Sequence, residues 1–353
     1  MNNKVEKKHN GEISLLKFLF SFLIIAFHLG NHFDKFDYGY LGVEFFFIIS
    51  GFYFCKGTVN KNFESKDIPT NSFDFFKNKI FKFLPYYVIL YLISIPVLSI
   101  VYKAPKTDFI ISFMNMLSLP SYEYKIYPSY SITWYINSMI LVEFITYPLL
   151  LKYKDKIVYI VSPLIVFFSF CFLMIGYEFI GNPWQTTIFC YKGVVRALMD
   201  INIGIFMYGI SERLKNVKYT DFTRFLMTTM EIIGYILIFY LSDKHTNTIE
   251  FAILFLIIIC LSITFSEKDY LYEICNNKFF YFLEKLSLPV YIFQIAIIDM
   301  ILYINNEMKW NLGYYKLLIL IIVISIIFGI IILKIFDAFS KHKKGIKRIF
   351  IKE

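Results

Sequence analysis

Apolar runs of about 20 residues recur along nearly the whole chain, and a helix of that length spans the roughly 30 Å hydrocarbon core of a bilayer. The runs lie near 13–32, 39–57, 83–102, 132–151, 157–178, 194–211, 225–242, 249–266, 280–304 and 314–335. They lack the period-two alternation of a membrane β-barrel strand. With 58% hydrophobic residues and a mean hydropathy of +0.58, the chain exceeds the 45–50% apolar content of an average soluble domain. The reading is an all-α, polytopic transmembrane helical bundle of about ten spans, one membrane domain over residues 1–353 with no appended soluble domain. The first run is too long for the apolar segment of a cleaved leader and is expected to be retained.

The formal charge of +9 is dealt out in short segments between the runs, as in "KVEKKH", "KYKDK" and "KHKKGIKRIFIKE". That distribution argues against a nucleic-acid arm and for loops held on the cytoplasmic side. With ten spans both termini fall on one side, and the Lys/Arg bias makes that side cytoplasmic. The longest cytoplasmic connection is expected at 57–82 and the longest outward one at 103–131. Cys55, Cys171, Cys190, Cys260 and Cys275 show no CxxC or ligand spacing. His28 and His32, at i and i+4, lack further ligands in sequence. No metal is expected.

Ionisable groups inside spans are costly and mark function or a buried pair. In "KFLFSFLIIAFHLGNHF" (17–33), Lys17 and His28 are eleven residues apart, about three turns, and share one helix face. The second run, "YGYLGVEFFFIISGFYF", brings Glu44 to the depth of His28, where a carboxylate orients an imidazole and stabilises its protonated form. Gly42 and Gly51 permit close helix approach. Lys77, Lys79 and Lys82 in "FDFFKNKIFKFLP" suit phosphate groups at the membrane entrance, or topology alone. Trp134, Asn137 and Glu143 occupy the fourth run. Arg196 and Asp200 sit one turn apart in the sixth, either paired to each other or facing a site. Pro289 and Gln294 mark a kink in the ninth. The expectation is that His28 and Glu44 meet at one cavity open to both faces of the bilayer.

These residues resemble the membrane acyltransferase family 3, integral membrane O-acyltransferases of bacterial surface carbohydrates. A basic residue, ten others and a histidine stand at Lys17 and His28, and "GVEFFFIISGF" (42–52) follows the family frame with Glu44 for an aspartate. Lys79, Lys82 and Pro85 hold the places of two arginines and a proline. "TWY" at Trp134, Arg196 with Gly204, and "LSLPVYIFQ" also match. Lysines at 17, 79 and 82 keep charge but lose the bidentate fork of arginine, and Gln294 stands where many members have histidine.

The resemblance implies transfer of an acyl group, most often acetyl, from acetyl-CoA in the cytoplasm to a carbohydrate hydroxyl outside, in a bacterial cytoplasmic membrane. It casts His28 as general base or acyl carrier, with Glu44 and Lys17 supporting it. Arg196, Asn137 and Trp134 would hold the oxyanion or substrate, and Lys79 and Lys82 the CoA phosphates. The rival reading is a transporter or exporter of a small anion or glycan precursor, since intramembrane His, Glu and Arg also suit a substrate path.

Overall fold

In lipid every backbone N–H and C=O must be satisfied within the chain, so long apolar runs become helices. The computed structural model describes residues 10–117, 131–177, 180–188, 190–244 and 249–350. Their helices are α1 Gly11–Gly30, α2 Gly42–Thr58, α3 Ile68–Pro96, α4 Lys106–Leu117, α5 Thr133–Lys156, α6 Ser162–Tyr177, α7 Lys192–Leu214, α8 Asp221–Leu241, α9 Ile249–Ser266, α10 Tyr270–Cys275, α11 Lys278–Glu307 and α12 Tyr314–Phe350. No strand occurs among the described residues.

Nine continuous helical segments among them are long and apolar enough to cross a membrane. One, Thr133–Tyr177, runs for 45 residues, about 68 Å at 1.5 Å per residue and more than twice a bilayer core. It turns at Lys154, whose φ of 28° and ψ of −102° are not helical. α5 and α6 are therefore separate passes, and the described residues make ten.

Contacts between loops sort the two ends. At one end Phe36 N–H donates to Asp243 Oδ1 at 3.0 Å, Ile180 N–H to Glu250 Oε1 at 2.9 Å, and Tyr314 Oη–H to the Ala26 carbonyl at 3.1 Å. At the other end Lys215 pairs with Glu267 at 3.1 Å, Arg224 with Glu273 at 2.6 Å, and Lys154 donates to Asn62 Oδ1 at 2.6 Å. α1 starts at this second end, and α12 returns to it. Applying the positive-inside rule makes it the inner end. Side-chain N-caps from Asn10, Thr220, Asp269 and Asn277 start α1, α8, α10 and α11 there, each accepting a bond from an otherwise orphaned helix N–H.

The centre is the α2–α7 pair. A Cβ at Gly51 would lie 2.1 Å from the Ile201 carbonyl oxygen, and one at Gly204 would lie 2.0 Å from that of Ile48. Two backbones can approach this closely only where both carry glycine. Around this axis α1 packs on α2 and α11, with Phe20 stacked on Phe45 at 3.8 Å between ring centroids, and Phe52 stacks on Phe265 at 3.7 Å. Exposed aliphatics such as Ile233 and Ile236 on α8, and Ile319 and Ile327 on α12, form the lipid-facing surface.

The expected cytoplasmic connection at 57–82 is shorter. α3 already begins at Ile68, with Pro69 in its first turn, and continues through Pro85. The lysines expected in a loop therefore stand on a helix. Within the expected outward connection, 106–117 is helical and 118–130 lie outside the described residues.

Candidate active site

The outer half of the bundle encloses a cavity of about 1120 Å³ lined by residues of α1, α2, α5, α7, α9 and α11. His28 stands on its wall near the outer end of α1. Its ring lies 5.0 Å from that of Phe27, and among the described residues it makes no hydrogen bond. An imidazole on a cavity wall without a fixed partner has both nitrogens available to a ligand.

Arg196, 1% exposed, lines the same cavity. Its Nε and one terminal nitrogen reach Glu44 Oε1 at 2.7 and 2.5 Å. The guanidinium carbon lies 5.1 Å from the centre of the Trp134 ring and 5.5 Å from that of Tyr40. A full charge in this setting needs a counter-charge, and the two aromatic faces add cation–π attraction. Glu44 accepts only two of the five guanidinium N–H bonds, and Arg196 also lines the cavity. A rigid cation is thus presented where negative charge can develop.

This arrangement corrects the expected pairing of Glu44 with His28. Glu44 is fully buried and held by Arg196. A permanent cation outcompetes an imidazole that is neutral without a partner. Nor do Arg196 and Asp200 pair. Asp200 is completely buried, and neither carboxylate oxygen has a hydrogen-bond partner among the described residues.

Asn137 accepts a 2.8 Å bond from the Tyr87 hydroxyl and is not part of the cavity lining, whereas Trp134 is. Gln294 is buried in α11, with neither amide atom hydrogen-bonded among the described residues.

Lys17 belongs to the opposite end. It pairs with Glu284 at 2.7 Å and lies 5.2 Å from the Tyr53 ring centre. Lys79 pairs with the buried Glu143. Lys82 is within electrostatic reach of Lys79, Lys17, Glu143 and Glu284, yet forms no ion pair among the described residues. Lys79 and Lys82 line a second cavity of about 340 Å³ with Lys61, Asp74 and Tyr147. The two cavities replace the expected single one. Between them pack Phe46, Tyr135 and Tyr291, with ring centroids 5.4 to 6.3 Å apart. Tyr291 also forms part of the outer cavity wall.

Other residues come to the outer cavity without having been marked by sequence. Tyr40 donates to Glu250, which also receives the Ile180 N–H. Tyr102 hydrogen-bonds Asp299, and Trp184 and Asp37 complete the rim. The carboxylate in "AIIDMIL" is the detectable signal here, since an acid within an apolar span marks function by the same rule as His28. At the inner end, Glu12, Glu231 and Asp269 gather with ligand atoms within 4.8 Å of one another. Thr264 donates to Glu231, and Asp269 caps α10.

The model of the family described as "Acyltransferase domain" matches residues 10–333. No curated protein and no solved structure matches the chain.

Proposed function

This chain belongs to the membrane acyltransferase family 3, and from that premise we propose that it carries an acyl group, acetyl in the first instance, from cytoplasmic acyl-CoA to a carbohydrate hydroxyl on the outer side of a bacterial cytoplasmic membrane. The observation that carries this reading is that His28, without a hydrogen-bond partner among the described residues, and a clamped Arg196 line the same cavity. In the reaction the acceptor oxygen attacks the thioester carbonyl while His28 takes its proton. Arg196 faces the oxyanion of the tetrahedral intermediate. As the C–S bond breaks, the imidazolium returns the proton to the departing CoA sulfur. An acyl-imidazole on His28 is the two-step version of the same chemistry.

Glu44 serves Arg196 rather than His28, keeping the guanidinium in place before substrate arrives. Trp134 supports its other side. On the inner face Lys82 supplies a cation not committed to an ion pair among the described residues, and Lys79 and Lys61 share its cavity. Together they suit the phosphates of CoA. Lys17 joins this group through Glu284 and Tyr53. Lys17 and His28 are about 16 Å apart along the helix axis, a gap that the extended arm of the donor would span past the aromatic layer.

The test supplies radiolabelled acetyl-CoA and a glycan acceptor to the purified protein in nanodiscs. Transfer to the sugar, lowered at least about 100-fold in His28→Ala at matched folding, supports the assignment. Equal transfer by the variant removes His28 from the chemistry. In proteoliposomes, movement of label or sugar into the lumen with no ester formed supports the transporter reading instead.

A further inference from the structure

The outer cavity holds more chemistry than acyl transfer requires. α11 also presents Asp299 to this cavity, a residue only 8% exposed that forms part of its lining. The Tyr102 hydroxyl hydrogen-bonds its carboxylate, while Oδ2 has no partner among the described residues. A buried acceptor atom left unpaired at a cavity wall is costly unless a ligand or water donates to it. Helix geometry carries Asp299 on the same stretch of α11 as Ile295 and Ile298, which also line the cavity.

The charge inventory narrows the ligand. Among the described residues the lining carries the carboxylates of Asp37, Glu250 and Asp299 against the guanidinium of Arg196, which Glu44 already neutralises. Among the described residues no lysine lines this cavity, although Lys192 is within electrostatic reach of Glu250. Glu250 is occupied by Tyr40 and the Ile180 N–H, so Asp299 is the buried carboxylate with an oxygen to spare. Trp134 and Trp184 add aromatic surface. Aromatic faces beside a hydrogen-bond acceptor suit a ring that is apolar on its C–H face and rich in hydroxyl donors at its edge. An anionic ring brought to the same wall would meet like charge at low dielectric.

We propose that Asp299, positioned by Tyr102, is the acceptor-recognition residue of this site, and that it selects uncharged, hydroxyl-rich sugars over anionic ones. The proposal rests on the acyltransferase reading for its purpose, but its binding test does not require turnover. Sugar binding to the full-length protein in nanodiscs is followed through tryptophan fluorescence, using a neutral disaccharide and the matching disaccharide with one uronic acid ring. The neutral sugar is expected to bind at least tenfold tighter. Asp299→Asn should weaken the neutral ligand several-fold and bring the ratio close to one, and Tyr102→Phe should shift it in the same direction by a smaller factor.

The Phe variant also covers the case in which Asp299→Asn fails to fold. Equal affinity for the two sugars, no binding of either, or an unchanged ratio in the folded variants overturns the proposal. Labelled acetyl transfer measured in parallel separates the two readings. Transfer to both sugars alike leaves the acyltransferase standing and removes the subsite. Selective binding with no transfer does the reverse.

Discussion

Arg196 is a full charge placed where it is 1% exposed, and its stability depends on Glu44 and two aromatic faces. Removing one partner of a buried pair leaves the other uncompensated, at a cost of about 3–5 kcal/mol. Glu44→Ala is therefore expected to destabilise by about that amount in denaturation measured in detergent. Arg196→Met in the same background should restore most of the loss while abolishing transfer, a non-additivity that a double-mutant cycle reads directly. This ranking of partners was not readable from sequence. Depth along the spans placed His28, Glu44 and Arg196 together, but which base takes the carboxylate follows from one being permanently charged. Asp269 offers a second test at this scale. Burial pushes its carboxyl above the usual carboxylate range, against the bonds it accepts as the cap of α10. A pKa raised on folding means the folded state binds protons more readily, so stability is greatest at low pH and falls as pH rises through the folded value. Asp269→Asn keeps the capping oxygen and removes the titration. Its melting midpoint should lose part of the decline that the parent shows as pH rises above the ordinary carboxylate range, by about 1–3 °C in a thermal scan.

The elements were largely visible as apolar runs, because in lipid an apolar stretch of sufficient length has little choice but to be a helix. The exceptions lie where apolarity is not the cause. α3 begins at Ile68 rather than near residue 83 because its first turns are amphipathic, with lysines and phenylalanines interleaved. The turn at Lys154 lies in a segment whose polar residues read as a plain loop, yet a backbone in the left-handed region makes it. Packing between elements depends on detail that hydropathy does not carry. Gly51 on α2 signals close approach, but its partner Gly204 was noted only as a family match. Both should resist any side chain: Gly51→Ala and Gly204→Ala force a Cβ to within 2.1 Å and 2.0 Å of backbone oxygen. The two helices must then separate, costing about 1–3 kcal/mol or more. Gly57→Ala near the end of α2 is the control, since nothing lies within 4 Å of its Cβ position. It should leave stability unchanged or raise it by up to about 1 kcal/mol, as alanine favours a helix over glycine. Yield and melting of the three variants in one detergent would check this contrast.

At the scale of the whole molecule the sequence implied a single path through the bundle, and the structure has two cavities with Phe46, Tyr135 and Tyr291 packed between them. Aromatic residues in a span read equally as core, lipid contact or cavity wall, so continuity is decided only when rings from α2, α5 and α11 meet. Division into two chambers has a use in the proposed reaction. Under that proposal the donor, charged at its phosphates, would stay at the inner basic cavity and the acceptor outside, and only the acyl arm would need to cross the aromatic layer. This arrangement predicts opposite accessibility for the two chambers. In a background with Cys171 and Cys190 changed to serine, Asn31→Cys lies exposed at the outer cavity and Asp74→Cys lies exposed at the inner one. A membrane-impermeant maleimide added to intact cells should label the first and spare the second. Inverted membrane vesicles should give the opposite pattern. Free CoA should slow labelling of Asp74→Cys several-fold in the vesicles, because its phosphates would compete for Lys79 and Lys82. The same CoA should leave Asn31→Cys unaffected in right-side-out membranes. Labelling of both positions from one side would contradict the two-ended topology, and protection of the outer cysteine alone would move the donor site away from the lysines.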